Sequence, residues 1–286
     1  SHKGYAYSVT LQLQKRITNF YFGASYTYSQ TKSINDGGSL QTRMWNSRAV
    51  TGDPNSDELG YADFYLPHRI TAYGTFRKAY AKYFATSISF IFESAPSGVG
   101  SYTYDGDMNN DGSAVNNDLM YIPKDQNDIV LVPVPNTADT RTPAQIWMQL
   151  DNFIKQDKYL NSYRGKYAQR NAVVLPFFKQ LDLNISQEFI LGNGKHTLKL
   201  SFDIINVGNF LNKNWGKYKT FTVGNSFVPL ISSFLKYEGY ATGSNSPSFS
   251  FPYLDPENEI PLTNSFKDDT DIYSRWQGQF GIRYSF

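Results

Sequence analysis

The stretch DGDMNNDGSAVNND, residues 105–118, carries the side chains of this sequence that are best suited to binding a metal ion. We call it the acidic loop. Counted from Asp107, oxygen-bearing residues stand at positions 1, 3, 5, 7 and 12, and a glycine stands at position 6. A calcium loop needs this spacing, because alternate oxygens surround the ion and the glycine permits the sharp turn. The candidate ligands are Asp107, Asn109, Asp111, Ser113 (through its backbone carbonyl) and Asp118.

The residue at position 12 and the flanking sequence leave a metal-free surface turn open as the alternative. Position 12 is the aspartate Asp118 rather than the longer glutamate. Val115 at position 9 has no side-chain oxygen, so a water molecule would fill that ligand position. No helical pattern flanks the loop, and segments rich in Asp, Asn and Gly also form turns without a metal. If Ca²⁺ binds, we expect it to order a long surface connection, with the roughly 10⁻⁴–10⁻³ M affinity of extracellular modules.

Catalytic chemistry is not indicated elsewhere in the chain. There are no cysteines, so thiol nucleophiles, thiolate metal sites and disulfides are excluded. The histidines lack HExxH-type spacing and the serines lack a GxSxG motif. We therefore predict that the protein is not an enzyme. The net charge of +2, without a Lys/Arg block, gives no indication of a nucleic-acid partner.

The elements that must position the acidic loop are β-strands, which are indicated by alternation of apolar and polar residues. In the last strand, Phe280, Ile282 and Tyr284 alternate with Gln279 and Arg283. No run approaches the ~18 apolar residues that a membrane helix requires. The seven predicted strands are 5–14, 18–31, 68–78, 82–93, 177–189, 195–206 and 275–286.

The connections between the predicted strands alternate between short and long. The short ones are 15–18, 79–81 and 191–195, and the long ones are 32–67, 94–176 and 207–274. Short turns at one end and long loops at the other are typical of a β-barrel in the outer membrane, as are aromatic residues near strand ends. A soluble β-sandwich is the alternative, although loops of this length are uncommon in compact domains.

An odd number of strands has a further consequence. Bacterial single-chain barrels have an even number of antiparallel strands, and an open edge in lipid leaves backbone groups unpaired. The predicted fold class is therefore all-β, with residues 1–286 forming the C-terminal segment of a larger transmembrane β-barrel completed by further strands. The charges predicted to face its lumen, either pairing with one another or with a plug or contacting a substrate, are Arg69, Arg77, Glu93, Asp182, Glu188, Lys199, Asp203, Arg275 and Arg283.

A helix is predicted inside the second long connection. Thr142 and Gln145 form a capping box, with Pro143 at the first helical position. The helix then carries an apolar stripe, which we expect to pack against the connection's own residues rather than against a partner. The stripe consists of Ile146, Leu150, Phe153 and Ile154.

Three segments together resemble the C-terminal region of the Oar-like TonB-dependent receptors of Bacteroidetes, relatives of the starch-utilisation-type transporters. They read YTYDGDMNNDGSAVNNDLMYIP, FIKQDKYLNSYRGKYAQRNAVVLPFFKQLDLNISQEF and FDIINVGNFLNKNWG. The resemblance runs from about Gly4 to Phe286 and is weakest in 217–274. The terminal GQFGIRYSF, ending in Phe286, resembles the signal that outer-membrane proteins present to the barrel-assembly machinery.

The resemblance implies a 22-stranded barrel in the cell outer membrane, with an N-terminal plug domain that lies outside this chain. The implied partners are the remaining strands, the plug, the TonB complex acting through the plug, outer-membrane lipid and a surface lipoprotein lid. The implied function is uptake of a large nutrient such as a glycan, peptide or chelate. The alternative is a surface-structural, adhesion or protein-secretion role.

Overall fold

A computed structural model of the protein describes residues 3–36, 47–113, 116–224, 230–241 and 243–286. Val115, at position 9 of the acidic loop, lies outside the described residues, as do parts of the first and third long connections. Strands account for 49% of the residues and helices for 11%, so the predicted all-β class is confirmed.

The strands, in chain order, are β1 (Tyr5–Ile17), β2 (Phe20–Ser33), β3 (Gly60–Tyr61), β4 (His68–Tyr80), β5 (Phe84–Pro96), β6 (Val99–Asp105), β7 (Tyr121–Ile122), β8 (Val130–Leu131), β9 (Lys166–Tyr167), β10 (Val173–Val174), β11 (Phe177–Leu191), β12 (His196–Ile205), β13 (Lys219–Phe221), β14 (Leu230–Tyr240), β15 (Pro247–Ser250), β16 (Phe266–Asp268) and β17 (Gln277–Ser285). The α-helices are α1 (Pro143–Gln156), α2 (Lys158–Ser162) and α3 (Val207–Leu211). Short 3₁₀ turns lie at Gly192–Gly194 and Ile272–Ser274.

The seven long strands form one antiparallel sheet in the order β1-β2-β4-β5-β11-β12-β17, with β3 paired to the end of β2. All seven predicted strands are therefore confirmed, with bounds that differ by a few residues. The last strand begins at Gln277 rather than at 275, because a 3₁₀ turn precedes it and the Arg275 amide donates to the Ile272 carbonyl. Among the described strands, β1 pairs only with β2 and β17 only with β12, so the sheet is open.

One face of this sheet is apolar, and the rest of the described chain leaves much of it uncovered. We call it the apolar face. Leu11 is 77% exposed and Ile282 is 67% exposed, although both are large aliphatic residues. A row of this face runs across all seven strands through Ile17, Phe20, Phe76, Ile88, Ile185, Phe202 and Phe280.

The opposite face is polar, and we call it the polar face. A row of this face runs through Arg16, Tyr21, Thr75, Ser89, Asn184, Asp203 and Gln279. The Arg69 Nε lies 2.7 Å from a carboxylate oxygen of Glu93, and an Arg77 Nη lies 2.7 Å from one of Glu188. Arg69 and Glu93 thus form one ion pair between strands, and Arg77 and Glu188 form another. Pairing among the charges of this face is one of the arrangements predicted for them.

The long connections all leave the sheet at one end, and the short turns join strands at the other. In the structure the long connections are 34–67, 97–176 and 206–276, which we call the first, second and third connections. The β1–β2 turn needs only Thr18 and Asn19, with Thr18 at a positive φ of 40°. The predicted alternation of short and long connections is thus confirmed.

A second sheet lies within the long connections and was not predicted from the sequence. Its order is β10-β6-β14-β15-β8, and the β6–β14 and β15–β8 pairs are parallel. The hydrophobic core packs here, outside the seven-stranded sheet, around side chains such as Tyr102, Leu119, Leu235 and Phe251. The second and third connections are therefore one folded body with its own core.

Helix α1 packs into this body as the sequence predicts. Thr142 is its N-cap, and the Gln145 amide donates to the Thr142 hydroxyl while the Gln145 side chain accepts from the Thr142 amide. All four residues of the predicted apolar stripe are buried in the core. Across the described part of the chain, no helix is both long enough and apolar enough to span a membrane.

Candidate functional site

The acidic loop leaves the end of β6 and turns sharply back on itself. Gly112, at position 6, has φ +76°, and Asn110, at position 4, has φ +63°. Both lie in the left-handed region, which glycine and asparagine adopt most readily. The glycine that the sequence pattern places at the turn therefore occupies a conformation that favours glycine.

The side chains at positions 1, 3 and 5 lie on the inner side of the loop. Each of them accepts a hydrogen bond from a backbone amide of the loop. The Asp107 carboxylate accepts from the amides of Asp111 (3.1 Å) and Gly112 (2.9 Å). The Asn109 Oδ1 also accepts from the Asp111 amide at 3.0 Å, and the Asp111 Oδ1 accepts from the Ser113 amide at 2.7 Å. The structure thus brings the first three candidate side chains together.

Asp118 closes the loop from its far end. Its Oδ2 accepts from the amides of Met108 (2.7 Å) and Asn109 (3.3 Å), which places the carboxylate against the start of the loop. The Asp118 side chain is buried, with 4% of the residue exposed, and its Oδ1 has no hydrogen-bond partner. An unsatisfied buried acceptor costs about 1–3 kcal/mol, and more when it is charged.

A second unpartnered oxygen belongs to Asn117, which is not among the candidate ligands that the calcium-loop spacing predicts. Its Nδ2 donates to the Asp111 Oδ2 at 3.1 Å, so its amide group lies beside the loop carboxylates. Only 1% of Asn117 is exposed, and its Oδ1 is buried without a partner. Position 11 is not a ligand position of the calcium pattern, so no sequence signal identifies it.

The electrostatics of the loop reflect this crowding of acceptors. Burial raises the pKa of Asp118, and the neighbouring carboxylates of Asp111 and Asp107 raise it further, against the opposing amides of Met108 and Asn109. Burial also acts to raise the pKa of Asp111. The hydrogen bonds that this carboxylate accepts nevertheless hold its pKa below the ordinary value. The donors of the loop thus stabilise the charged form of Asp111, but they do not offset the burial of Asp118.

No three His, Cys, Asp or Glu side chains in the described ranges form a group that could hold a metal ion on their own. A calcium loop also uses amide and backbone carbonyl oxygens, which Asn109 and Ser113 would supply here. Ca²⁺ binding at this site therefore stays a prediction.

The acidic loop is joined to the first connection, which lies far away in sequence. The Val50 amide donates to the Asn117 carbonyl at 2.9 Å, and the Leu119 amide donates to the Val50 carbonyl at 2.8 Å. The Asn109 Nδ2 donates to the Gly52 carbonyl at 2.5 Å. The candidate ligands thus sit at a junction between the first and second connections.

A separate cavity of about 290 Å³ opens between the second and third connections, where Arg141 and Tyr253 form part of its lining. The Arg141 guanidinium lies 3.9 Å from the centre of the Tyr253 ring and donates two hydrogen bonds to Asp139. Its other bonds go to Gln149 and the Phe251 carbonyl. The arginine of this cavity is thus already paired with groups of the protein.

The other predicted site residues lie apart from the acidic loop. Phe286 follows β17 and is fully exposed. Lys199, Asp203 and Arg283 belong to the polar face, where Lys199 is directly opposite Arg283 in the register. The Asp182 carboxylate accepts from the Asn206 amide at 2.8 Å, at the start of the third connection.

Comparison with known protein families, with curated proteins and with solved structures finds no match for this chain. The resemblance to TonB-dependent receptors therefore rests on the sequence segments given above.

Proposed function

We propose that this chain is the C-terminal strand set of a TonB-dependent outer-membrane transporter that takes up a large nutrient, such as a glycan, a peptide or a chelate. The observation that best supports this proposal is the seven-stranded sheet, whose two faces differ in polarity. Its long strands run in sequence order, with an uncovered apolar face on one side and a polar face on the other.

The apolar face is costly in water and favourable in lipid. Each Å² of apolar surface left in water forgoes roughly 25 cal/mol of transfer free energy. Residues such as Val9, Leu13 and Phe280 expose well over half of their surface in the described structure. The seven long strands have 9–15 residues, whereas about 9–11 are sufficient for a tilted strand to cross the hydrocarbon core.

The open edges of the sheet support a larger assembly. Edge strands in lipid would leave backbone amides and carbonyls unpaired, at a cost of several kcal/mol each by order of magnitude. On this proposal the remaining strands of the barrel pair with β1 and β17. The barrel-assembly machinery recognises the exposed Phe286. On this proposal a plug domain couples the barrel to the TonB complex.

The folded body formed by the long connections would stand at one mouth of the barrel. In outer-membrane barrels the long connections are extracellular and the short turns are periplasmic. The cavity beside Arg141 and Tyr253 would then face the outside, where a substrate or a lipoprotein lid meets the transporter.

Uptake in intact cells tests the proposal. The protein is tagged in the organism that produces it, and its location is followed by separation of inner and outer membranes. Accumulation of labelled glycans, peptides and chelates is then compared among cells with the protein, cells without it and cells lacking the TonB complex. We expect the protein in the outer membrane and loss of the same substrate's uptake in both deletions. A soluble protein, or uptake unaffected by either deletion, would contradict the proposal.

A surface-structural, adhesion or secretion role is the second candidate, favoured by the size and separate core of the folded connections. The same cells distinguish it from import. A surface role predicts that adhesion or secretion is lost in cells without the protein, yet is retained in cells that lack only the TonB complex.

A further inference from the structure

We propose that the acidic loop binds Ca²⁺ and that the bound ion fastens the second connection to the first. This inference rests on the loop and its neighbours, and does not depend on the proposed transport function. Asp107, Asn109 and Asp111 direct their oxygens inward, and the Ser113 carbonyl follows at position 7. Ca²⁺ takes 6–8 oxygen ligands in adaptable geometry, which a loop of mixed carboxylate and amide oxygens can supply.

The unpartnered buried oxygens indicate that something is bound there. The Asp118 Oδ1 and the Asn117 Oδ1 are both buried without a hydrogen-bond partner, in a loop that holds three further carboxylates, those of Asp105, Asp107 and Asp111. Buried polar groups in folded proteins are satisfied in the great majority of cases, so each exception requires a cause. A dication at the centre of the loop would offset the negative charge of the carboxylates. It would also accept lone pairs from the Asp118 Oδ1 and the Asn117 Oδ1.

The contacts with the first connection give the ion a structural role. The backbone of Asn117 and Leu119 pairs with Val50, and the Asn109 side chain donates to the Gly52 carbonyl. Asn109 is itself a candidate ligand, and the candidate ligand Asp118 lies between Asn117 and Leu119 in the chain. An ion that fixes Asn109 and Asp118 therefore also fixes the surface to which residues 50–52 bind.

Hydrogen exchange on the full-length protein in detergent tests this proposal, with Ca²⁺ alone as the probe. The protein is stripped with a chelator, and exchange is followed by mass spectrometry as Ca²⁺ is added. We expect exchange to slow by roughly tenfold or more in peptides covering 47–57 and 105–119, with half-saturation near 10⁻⁴–10⁻³ M. Peptides from helix α1 serve as an internal reference, and we expect them not to change.

Matched variants assign the effect to the loop. Asp111→Asn keeps an acceptor oxygen and the size of the side chain but removes one charge, and we expect it to weaken Ca²⁺ binding by about tenfold or more. Asp125→Asn is the control, since Asp125 also accepts from a backbone amide two residues on, in an exposed turn of the same connection. We expect the control to respond to Ca²⁺ as the unaltered protein does.

Three results would overturn the proposal. Exchange that does not change up to about 10 mM Ca²⁺, well above the expected affinity, would leave ordered water as the partner of the free oxygens. Equal protection by Mg²⁺ in the unaltered protein would refute the calcium assignment, whatever the state of the variants. Protection of 105–119 without protection of 47–57 would refute the coupling between the two connections.

Discussion

At the scale of single residues, the pairing of Arg141 with Asp139 shows how the folded connections accommodate charge. Both side chains are buried, and an Arg141 Nη lies 2.7 Å from a carboxylate oxygen of Asp139. The guanidinium also bonds to Gln149 and to the Phe251 carbonyl, which lies in the third connection. A fully satisfied buried pair of this kind fixes the positions of the segments that it joins.

Removing Arg141 should therefore be costly. We expect Arg141→Ala to destabilise the folded connections by about 3–5 kcal/mol, because it leaves the Asp139 carboxylate buried and unpaired. Arg141→Lys should recover only part of this free energy, since a lysine cannot form the two parallel bonds to the carboxylate. The measurement is hydrogen exchange in peptides covering 132–141 and 249–253.

Arg164→Ala is the control for this loss. Arg164 pairs with Asp151 at 2.7 Å, where each side chain is 19% exposed and Lys155 also pairs with the carboxylate, so we expect its removal to cost less, about 0–1 kcal/mol. Equal losses for the Arg141 and Arg164 variants would show that burial of the Asp139 pair does not determine its contribution.

Asp139 also gives a prediction for pH. The hydrogen bonds from Arg141 hold the pKa of this carboxyl well below its usual range. The folded state thus favours the charged form, so the contribution to stability is present above the ordinary pKa of about 3.9 and is lost as the pH falls toward the lower folded-state value. We expect the connections of the unaltered protein to lose stability between about pH 4 and pH 2 more steeply than those of Asp139→Asn. Parallel pH profiles of the two proteins in thermal unfolding would contradict this expectation.

At the scale of elements, helix α1 ties the second connection to the common core. Leu150 is fully buried, whereas Met148 is 59% exposed on the opposite side of the same helix. We expect Leu150→Ala to lower the free energy of unfolding of the connections by about 2–5 kcal/mol, because it leaves a cavity in the core. Met148→Ala removes a side chain of similar size from the surface and should change little. The comparison uses exchange rates in α1, and similar losses in both variants would contradict the assigned helix face.

The same helix shows why part of the fold could be predicted from the sequence. Its capping box and apolar stripe lie within a short segment, and the long strands likewise carry their period-2 pattern in consecutive residues. Local patterns of this kind specify an element without knowledge of the rest of the chain.

The five-stranded sheet lacked such a signal. Strands such as β8 and β10 have two residues each, too few for a period to be seen, and β6 pairs in parallel with β14 from a different connection.

The candidate site was likewise predictable only in part. Positions 1, 3, 5 and 6 of the acidic loop follow from spacing, but the free oxygen of Asn117 and the contact with Gly52 arise only when distant segments meet.

At the scale of the whole molecule, the two faces of the seven-stranded sheet set its environment. Strand β17 shows both faces in neighbouring residues. Ile282 lies on the apolar face opposite Leu200, and Gln279 lies on the polar face opposite Asp203. A lipid environment on one side and water on the other would make these two positions respond to charge in opposite ways.

Arginine substitutions at these two positions test that difference. If the apolar face contacts lipid, Ile282→Arg should cost about 2–4 kcal/mol when the position is near the bilayer midplane. Gln279→Arg should be mild, since the new guanidinium meets water and the carboxylate of Asp203 across the strand pair. Folding of the full-length protein into lipid vesicles, measured by denaturant titration, gives both free energies. Equal tolerance would refute contact of the apolar face with lipid, because a residue that faces water loses little free energy when it gains a charge.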